Sequence, residues 1–212
     1  SIYGNSSPHL PLMPLGLASA ENRILTAQLT KGPYEVVADE TDAYQKANIT
    51  SLQDGLPIKY ILTVVRNNQT LPGIRLDTWF ANAAGLYSGV PSIGTADQDF
   101  LRGWQVTDEN GQATFYGIFP GTYTGRTVHI HVRAREYAIN GTIIYNNTTQ
   151  LFFPEDVITE VLKLDAYKDA AAKNHNTDNH HDMFYTTENM LTLTGDITTG
   201  YIATATIEIP LR

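Results

Sequence analysis

The chain contains the stretch Val128-His-Ile-His-Val-Arg-Ala-Arg135, in which apolar and polar side chains alternate as they do along a β-strand. Turn residues such as Thr107–Gly111 and Pro120-Gly121 separate this stretch from further strand-like segments. Those segments are 58–66, 74–79, 114–119, 142–145, 150–153, 190–194 and 201–209. A helix is expected from Pro154 onward, because acidic residues follow it and apolar residues then recur at helical spacing. The patterns predict a mainly β fold, a β-sandwich of short strands with one or two helices near the C-terminal third.

Composition limits the class of protein further. The 212 residues are 42% hydrophobic and carry 14 Lys and Arg against 22 Asp and Glu, a net charge of −8. This length and apolar content predict a single domain over 1–212, with a proline-rich extended arm over 1–35. The acidic balance argues against nucleic acid as a partner, and the sequence has no apolar run long enough to span a membrane. Because the chain has no cysteine, disulfides and thiolate metal sites are excluded.

Glycosylation triplets indicate the compartment. Six of them begin at Asn5, Asn48, Asn68, Asn140, Asn146 and Asn147. Such a density favours a secreted, extracellular glycoprotein whose signal peptide has been removed. The competing interpretation is that a sequence rich in Thr and Asn forms such triplets by chance.

His129 and His131 are two positions apart on the predicted strand, so their imidazoles share one face and can bind a metal. The pair alone is a weak signal, because two histidines at this spacing are common on solvated strands. The nearby candidates for further ligands are the phenols of Tyr87 and Tyr123, whose ordinary pKa is about 10. Two phenolates and a hydroxide would balance the three positive charges of Fe(III). A divalent ion seldom carries enough charge to hold two phenolates.

Several blocks of the sequence accompany these residues in a fixed order. They are Gly32-Pro-Tyr34, Asp77-Thr-Trp-Phe-Ala-Asn-Ala-Ala-Gly-Leu-Tyr-Ser-Gly89, Phe100-Leu-Arg-Gly-Trp-Gln-Val-Thr-Asp-Glu-Asn-Gly111, Phe119-Pro-Gly-Thr-Tyr-Thr-Gly-Arg-Thr-Val-His-Ile-His131 and Gln150-Leu-Phe-Phe153. Together they resemble the intradiol ring-cleavage dioxygenases, which include catechol and protocatechuate dioxygenases. The resemblance is greatest to the secreted single-domain members of fungi and plant-feeding arthropods, and it covers most of the chain.

The resemblance implies an oxidoreductase of aromatic compound catabolism. Each chain would hold one Fe(III), and the implied ligands are Tyr87, Tyr123, His129 and His131. Tyr123 would leave the metal when substrate binds, while Arg126 and Gln150 would line the substrate and stabilise negative charge. The substrates would be O2 and a small catecholic aromatic, whose ring would be cut between the hydroxyl-bearing carbons to a cis,cis-muconate-type diacid. The N-terminal arm does not resemble the helical dimerisation segment of large bacterial relatives, so a monomer is expected.

Other interpretations compete with this one. The same sandwich could bind catechols or iron with little or no turnover, and a zinc hydrolase using the two histidines is a weaker possibility. A second cluster, formed by His175, Asp178, His180, His181 and Asp182, is interpreted as a solvated loop rather than a metal site. Phe80 stands where secreted relatives carry a polar ring near the ligand loop, which leaves the polarity of the pocket and the range of substrates open at this point.

Overall fold

The computed structural model describes residues 23–25, 30–35, 42–175 and 177–212 of the chain. Within these ranges it contains ten strands and two helices. The strands are β1 (Arg23–Leu25), β2 (Pro57–Arg66), β3 (Gln69–Thr70), β4 (Arg75–Trp79), β5 (Arg102–Val106), β6 (Gln112–Ile118), β7 (His129–Tyr137), β8 (Ile143–Phe152), β9 (Thr192–Asp196) and β10 (Gly200–Glu208). The helices are α1 (Glu155–Val161) and α2 (Asp165–Asn174). This content confirms the predicted mainly β fold, with helices only near the C-terminal third.

The strands form two sheets. In the first, the order is β1-β10-β2-β3, with β6 also paired to β2 and β9 to β10. β10 runs parallel to both β1 and β2, whereas the other pairs of this sheet are antiparallel. The second sheet has the order β5-β4-β7-β8 and is antiparallel throughout. The last strand of the chain therefore lies between strands formed by its N-terminal third.

The two sheets pack face to face through a shared apolar core, as expected of a β-sandwich. Alternate residues of β2 and β7 point into it, namely Ile58, Tyr60, Leu62, Val64, Ile130, Val132 and Ala134. Because side chains alternate between the two faces of a strand, His129 and His131 point to the outer face of the second sheet. The core of the sandwich thus fixes the strand that carries the histidine pair.

Phe80 lies in this core and not in a substrate pocket. Its side chain is fully buried, and its ring centroid is 5.4 Å from that of Tyr60 on β2. The polarity of the pocket, which the sequence left open at this position, is therefore not set directly by the side chain of Phe80. An aromatic ring at this position instead fills space between the sheets.

Two local predictions differ from the structure. Segments 142–145 and 150–153, predicted as separate strands, belong to one long strand, β8, whose polar middle pairs with β7. The segment 177–189 contains two 3-10 turns, and it buries Asn179 and Asp182. It is therefore not a uniformly solvated loop.

The predicted extended arm over 1–35 lies mostly outside the described residues. The parts that are described have defined positions: β1 adds to the first sheet beside β10, and 30–35 lies on the outer face of the second sheet against His131. Neither of the two described helices combines the length and hydropathy that a membrane crossing needs.

Candidate metal centre

The strand register places the histidine pair in a row of functional side chains. His131 lies opposite Trp79 of β4 on one side and Gln150 of β8 on the other. The rings of Trp79 and His131 stack, with centroids 5.0 Å apart and planes within 1°. Although they point away from the core, His129 and His131 are only 3% and 2% exposed. The outer face of the sheet is therefore a covered site at this point.

Two loops bring the phenols to the histidines. Tyr87 follows β4, and Tyr123 lies between β6 and β7. The loops touch directly, since the backbone N–H of Gly121 donates to the carbonyl of Asn82 at 3.0 Å. At Gly85, where φ is +80°, an added Cβ would lie 1.9 Å from the carbonyl oxygen of Thr122. Glycine is required there by both the backbone angle and the close approach, and this contact sets the two loops side by side.

The donor atoms of three of the four predicted ligands converge, and the ring of the fourth, His131, lies beside them. Oη of Tyr87 lies 3.4 Å from Oη of Tyr123, and both oxygens approach Nε2 of His129, at 3.3 and 3.1 Å respectively. Nδ1 of His129 lies 2.7 Å from the carbonyl oxygen of Thr127. Since a carbonyl oxygen only accepts, the proton is on Nδ1 and the lone pair on Nε2 faces the phenols. The ring of His131 completes the group, with its centroid 5.0 Å from that of His129.

Burial sets the protonation of these groups. Burial, with a further contribution from the Arg126 guanidinium, lowers the pKa of His129 to about 3. Burial and the neighbouring His129 likewise lower the pKa of His131 well below its usual value. Both imidazoles are therefore neutral at pH 7, which is the form that binds a metal. Burial raises the pKa of both phenols, more strongly for Tyr87 than for Tyr123, so these groups carry their protons until a cation displaces them.

Arg126 and Gln150, the predicted substrate-lining residues, lie beside the ligands. Nη1 of Arg126 is 3.3 Å from Nε2 of His129, and its Nη2 donates to Oε1 of Gln150. Gln150 in turn donates from Nε2 to the carbonyl of Thr30 at 3.0 Å. A cation and an amide thus line one side of the ligand group.

The segment 30–35 covers another side. Tyr34 stacks on Tyr87 with ring centroids 4.6 Å apart and lies edge-on to Tyr123 at 6.2 Å. Arg102, which is fully buried, joins this segment to the loop after β4 by donating to the carbonyls of Tyr34 and Ser88. The site is therefore closed by parts of the chain that are distant in sequence.

The second cluster of histidines and carboxylates is divided in the structure. His181 and Asp178 form an exposed pair with Nδ1 and Oδ1 2.7 Å apart, whereas Asp182 turns inward. Among the residues described, no three His, Cys, Asp or Glu side chains are grouped to hold a metal ion. Asp182 instead receives a hydrogen bond from Nε of Arg126 at 2.8 Å. Sequence reasoning missed this contact, because the two residues are 56 positions apart and no motif links them.

The donor set fits a ferric ion. Nitrogen and oxygen ligands bind metal ions at about 2 Å, so neighbouring donor atoms around one ion are about 3 Å apart. The distances between the Tyr87, Tyr123 and His129 donor atoms, 3.1 to 3.4 Å, match this spacing. Two phenols and two neutral imidazoles, with no thiolate or carboxylate among them, suit a hard trivalent ion that can displace phenol protons.

Comparison with known proteins gives a consistent result. No family model and no curated protein matches the chain. Among solved structures, an intradiol ring-cleavage dioxygenase from Tetranychus urticae is 27% identical, with a TM-score of 0.72 over 88% of this chain and 94% of its own. The dioxygenase domain of a carbohydrate-binding fusion protein from Streptomyces sp. SirexAA-E is 26% identical, with a TM-score of 0.63 over 88% and 99%.

A more distant structure shares the fold. Hydroxyquinol 1,2-dioxygenase from Pseudomonas putida DLL-E4 is 18% identical, with a TM-score of 0.61 over 88% of this chain and 67% of its own. The resemblance predicted from the sequence motifs is thus confirmed by overall structure, and the arthropod single-domain protein is among the similar structures. This chain is similar in fold and sequence to the intradiol ring-cleavage dioxygenases, a class of oxidoreductase enzymes.

Proposed function

We propose that this protein is a secreted non-haem Fe(III) dioxygenase that cleaves catecholic aromatic rings between the two hydroxyl-bearing carbons. One observation carries the proposal: two phenol oxygens and an imidazole nitrogen converge within 3.4 Å beside the Arg126–Gln150 pair. Catechol and O2 would combine without an external reductant into a cis,cis-muconate-type diacid, which contains both atoms of oxygen.

The proposed ligands are Tyr87, Tyr123, His129 and His131, with one ferric ion per chain. The chemistry that Fe(III) supplies when bound is Lewis-acid chelation of both hydroxyls of an ortho-diol, which activates the ring toward O2. The surrounding residues exclude water on several sides, as the stacking of Tyr34 on Tyr87 and of Trp79 on His131 indicates.

The two phenols differ in a way that suits different roles. Tyr87 is 1% exposed and is held under Tyr34, whereas Tyr123 is partly exposed at the edge of the site. Tyr123 is therefore the phenol with room to move aside. Since burial raises the pKa of Tyr123, its phenolate would be a strong base when not bound to a metal, and Oη could then accept a proton from a substrate hydroxyl.

Arg126 and Gln150 provide electrostatic stabilisation. The guanidinium faces the ligand group with Nη1, and Gln150 is fixed by hydrogen bonds at both ends of its amide. Donors held in place before the reaction stabilise negative charge that develops on the substrate without reorganisation. We assign this role to Arg126, with Gln150 as its neighbour along the substrate.

The test is metal analysis with visible spectroscopy, followed by oxygen uptake. Purified protein loaded with iron should contain one Fe(III) per chain and absorb visible light through phenolate-to-metal charge transfer. Catechol added under nitrogen should shift that absorption, and admission of air should then start oxygen consumption. Tyr123→Phe should reduce turnover strongly, and His129→Ala should abolish it, because each removes a donor.

A matched control is His181→Ala, which removes an exposed imidazole outside the site. This variant should keep both colour and turnover. Colourless protein with stoichiometric zinc, or full activity in His129→Ala, would refute the ligand assignment. Tight binding of catechol without oxygen uptake would instead identify a catechol-binding module.

Secretion and a monomeric state belong to the same proposal. Asn68 and Asn140 lie exposed in the turns that follow β2 and β7, where an oligosaccharyltransferase can reach them. Asn147 is half-buried within β8, and Oδ1 of Asn146 accepts from Nε of Arg133 at 2.9 Å.

Expression in eukaryotic cells should therefore give glycans at Asn68 and Asn140 but not at Asn146 or Asn147, as mapped by mass spectrometry after enzymatic deglycosylation. Light scattering of the deglycosylated protein should give 23.4 kDa. Glycans on β8 or a mass of twice that value would contradict these expectations.

A further inference from the structure

Asp182 has a buried carboxylate that has no role among those proposed above for the reaction. Its side chain has no solvent exposure, although it belongs to a segment that is polar and irregular. Oδ2 accepts from Nε of Arg126 at 2.8 Å and from the backbone N–H of Thr127 at 2.9 Å. Oδ1 accepts from the backbone N–H of Phe184 at 2.9 Å and faces Nη2 of Arg126 at 3.5 Å.

These contacts make Asp182 a fixed anchor. A buried charge is costly unless it is paired and hydrogen-bonded, and here every carboxylate oxygen has a donor. Burial alone would raise the pKa of Asp182, but hydrogen bonds from Arg126 and the two backbone amides outweigh it and lower the pKa below the usual value. The carboxylate is therefore ionised at neutral pH.

The anchor determines where the guanidinium points. With Nε occupied by Asp182, Nη1 and Nη2 of Arg126 face Nε2 of His129 and Oε1 of Gln150. The ring of Phe184 covers one face of the guanidinium, with its centroid 4.8 Å from Cζ. An unpaired arginine side chain has many rotamers, whereas this one is restrained from three directions.

The segment that carries Asp182 is itself attached to the strand of the histidines. Asn179 accepts from the Thr127 hydroxyl at 2.6 Å, and it donates to the carbonyl of Phe153 at 2.9 Å. The backbone N–H of Asn179 donates to Glu155 at the start of α1, again at 2.9 Å. The carboxylate thus has a defined position relative to β7 and β8.

We propose that Asp182 is the positioning residue for the dioxygenase reaction, holding the Arg126 guanidinium toward the ligand group and Gln150. The inference rests on the proposed function and adds a residue to it. The side chain of Asp182 hydrogen-bonds to Arg126 and to two backbone amides and to none of the four proposed ligands, so its role is to position Arg126. Removing its charge should weaken stabilisation of the transition state and leave the four ligands in place.

The experiment is a double-mutant cycle with Asp182→Asn and Arg126→Ala. Asp182→Asn should lower kcat per bound iron by about 10- to 100-fold, the usual range for a residue that orients a site residue, with little change in KM. In the Arg126→Ala background the same substitution should change kcat by less than about twofold, because the group it orients is gone. A purely structural effect would lower activity equally in both backgrounds.

A second measurement does not depend on turnover. In the metal-free protein, the Nε–H of Arg126 should give a protected side-chain signal in 15N NMR, because it is buried against Asp182. The signal should exchange rapidly with water in Asp182→Asn. If that variant does not fold, Asp182→Glu replaces it in the cycle, because it keeps the charge but displaces it by one methylene. Its kcat should be lowered when Arg126 is present and nearly unchanged in the Arg126→Ala background.

The control is Asp178→Asn, four residues earlier in the same segment, whose carboxylate is exposed and pairs with His181. It should keep kcat within about twofold of the parent protein. Equal activity of Asp182→Asn and the parent, or an additive loss with Arg126→Ala, would overturn the positioning role. A parent protein that consumes no oxygen with any catechol would refute the proposed function, while the NMR signal would still decide whether Asp182 restrains Arg126.

Discussion

The two histidines of the site are held neutral within a covered face of the sheet, and this has an energetic consequence. The pKa of His129 is lowered to about 3 by burial and by Arg126, and the pKa of His131 is also well below its usual value. In the unfolded chain both would titrate near 6.5. Between pH 6.5 and about 3 the unfolded state thus binds more protons than the metal-free folded state.

Stability of the metal-free protein should therefore fall as the pH decreases below 6.5. Each histidine contributes up to about 1.4 kcal/mol per pH unit in that window, since linkage gives a positive slope of unfolding free energy with pH. Urea unfolding followed by circular dichroism between pH 7 and 4 measures the slope. His129→Gln should reduce the slope by an amount that corresponds to nearly one bound proton, about 1.4 kcal/mol per pH unit. An unchanged slope would show that His129 is protonated in the folded protein.

At this scale the sequence indicated the four candidate ligands, whose role in binding a metal stays a prediction, but it did not indicate the residue that supports Arg126. The motif around Tyr123, Arg126 and the histidines is local, so a resemblance could locate it. Asp182 was missed because its role depends on a contact across 56 residues, and a lone aspartate in a polar stretch gives no periodic or spacing signal. The sequence left the role of Phe80 open, and the structure places it in the core, so closeness in sequence to Tyr87 does not mean closeness to the pocket.

Among the elements, the contact between the two phenol-bearing loops depends on Gly85. Gly85→Ala would place a methyl group 1.9 Å from the carbonyl of Thr122 and would impose a strained φ of +80°. We expect a loss of about 3 kcal/mol or more in unfolding free energy, together with weaker iron binding, because the phenols are forced apart.

Gly73→Ala is the matched control for that prediction. Its φ is +79°, but no atom lies within 4 Å of the added Cβ, so only the backbone strain of about 1 kcal/mol remains. Chemical unfolding and iron titration of both variants separate the two effects. Equal losses in the two variants would show that the loop contact is unimportant.

The strands themselves were largely predictable, because alternation along β2, β7 and β10 follows directly from having one face in the core. The continuity of β8 was not. Its middle, from Asn146 to Thr149, is polar and looks like a turn, yet pairing with β7 satisfies its backbone and completes the sheet.

Over the whole molecule, β10 joins parts of the chain that are far apart in sequence. Deleting residues 200–212 would remove Ala203, Ala205 and Ile207 from the core, and it would leave β1 and β9 without their partner. The truncated chain should lose cooperative unfolding and iron binding, as shown by circular dichroism and metal analysis.

Deleting only residues 211 and 212 is the control, since both are exposed and lie beyond the strand. The ion pair between Arg212 and Glu136 would be lost, at a cost of about 1 kcal/mol or less for an exposed contact. A chain lacking 200–212 that still unfolds cooperatively and binds iron would contradict the importance given to β10.

The central position of this last strand also governs when the protein can fold. Until β10 has emerged from the ribosome, β2 lacks the neighbour that β10 provides, and β1 lacks its partner strand. The first sheet therefore closes only once β10 is available, through contacts of high sequence separation, which form slowly. Nascent chains should consequently depend on chaperones that shield the open sheet edge until β10 has paired.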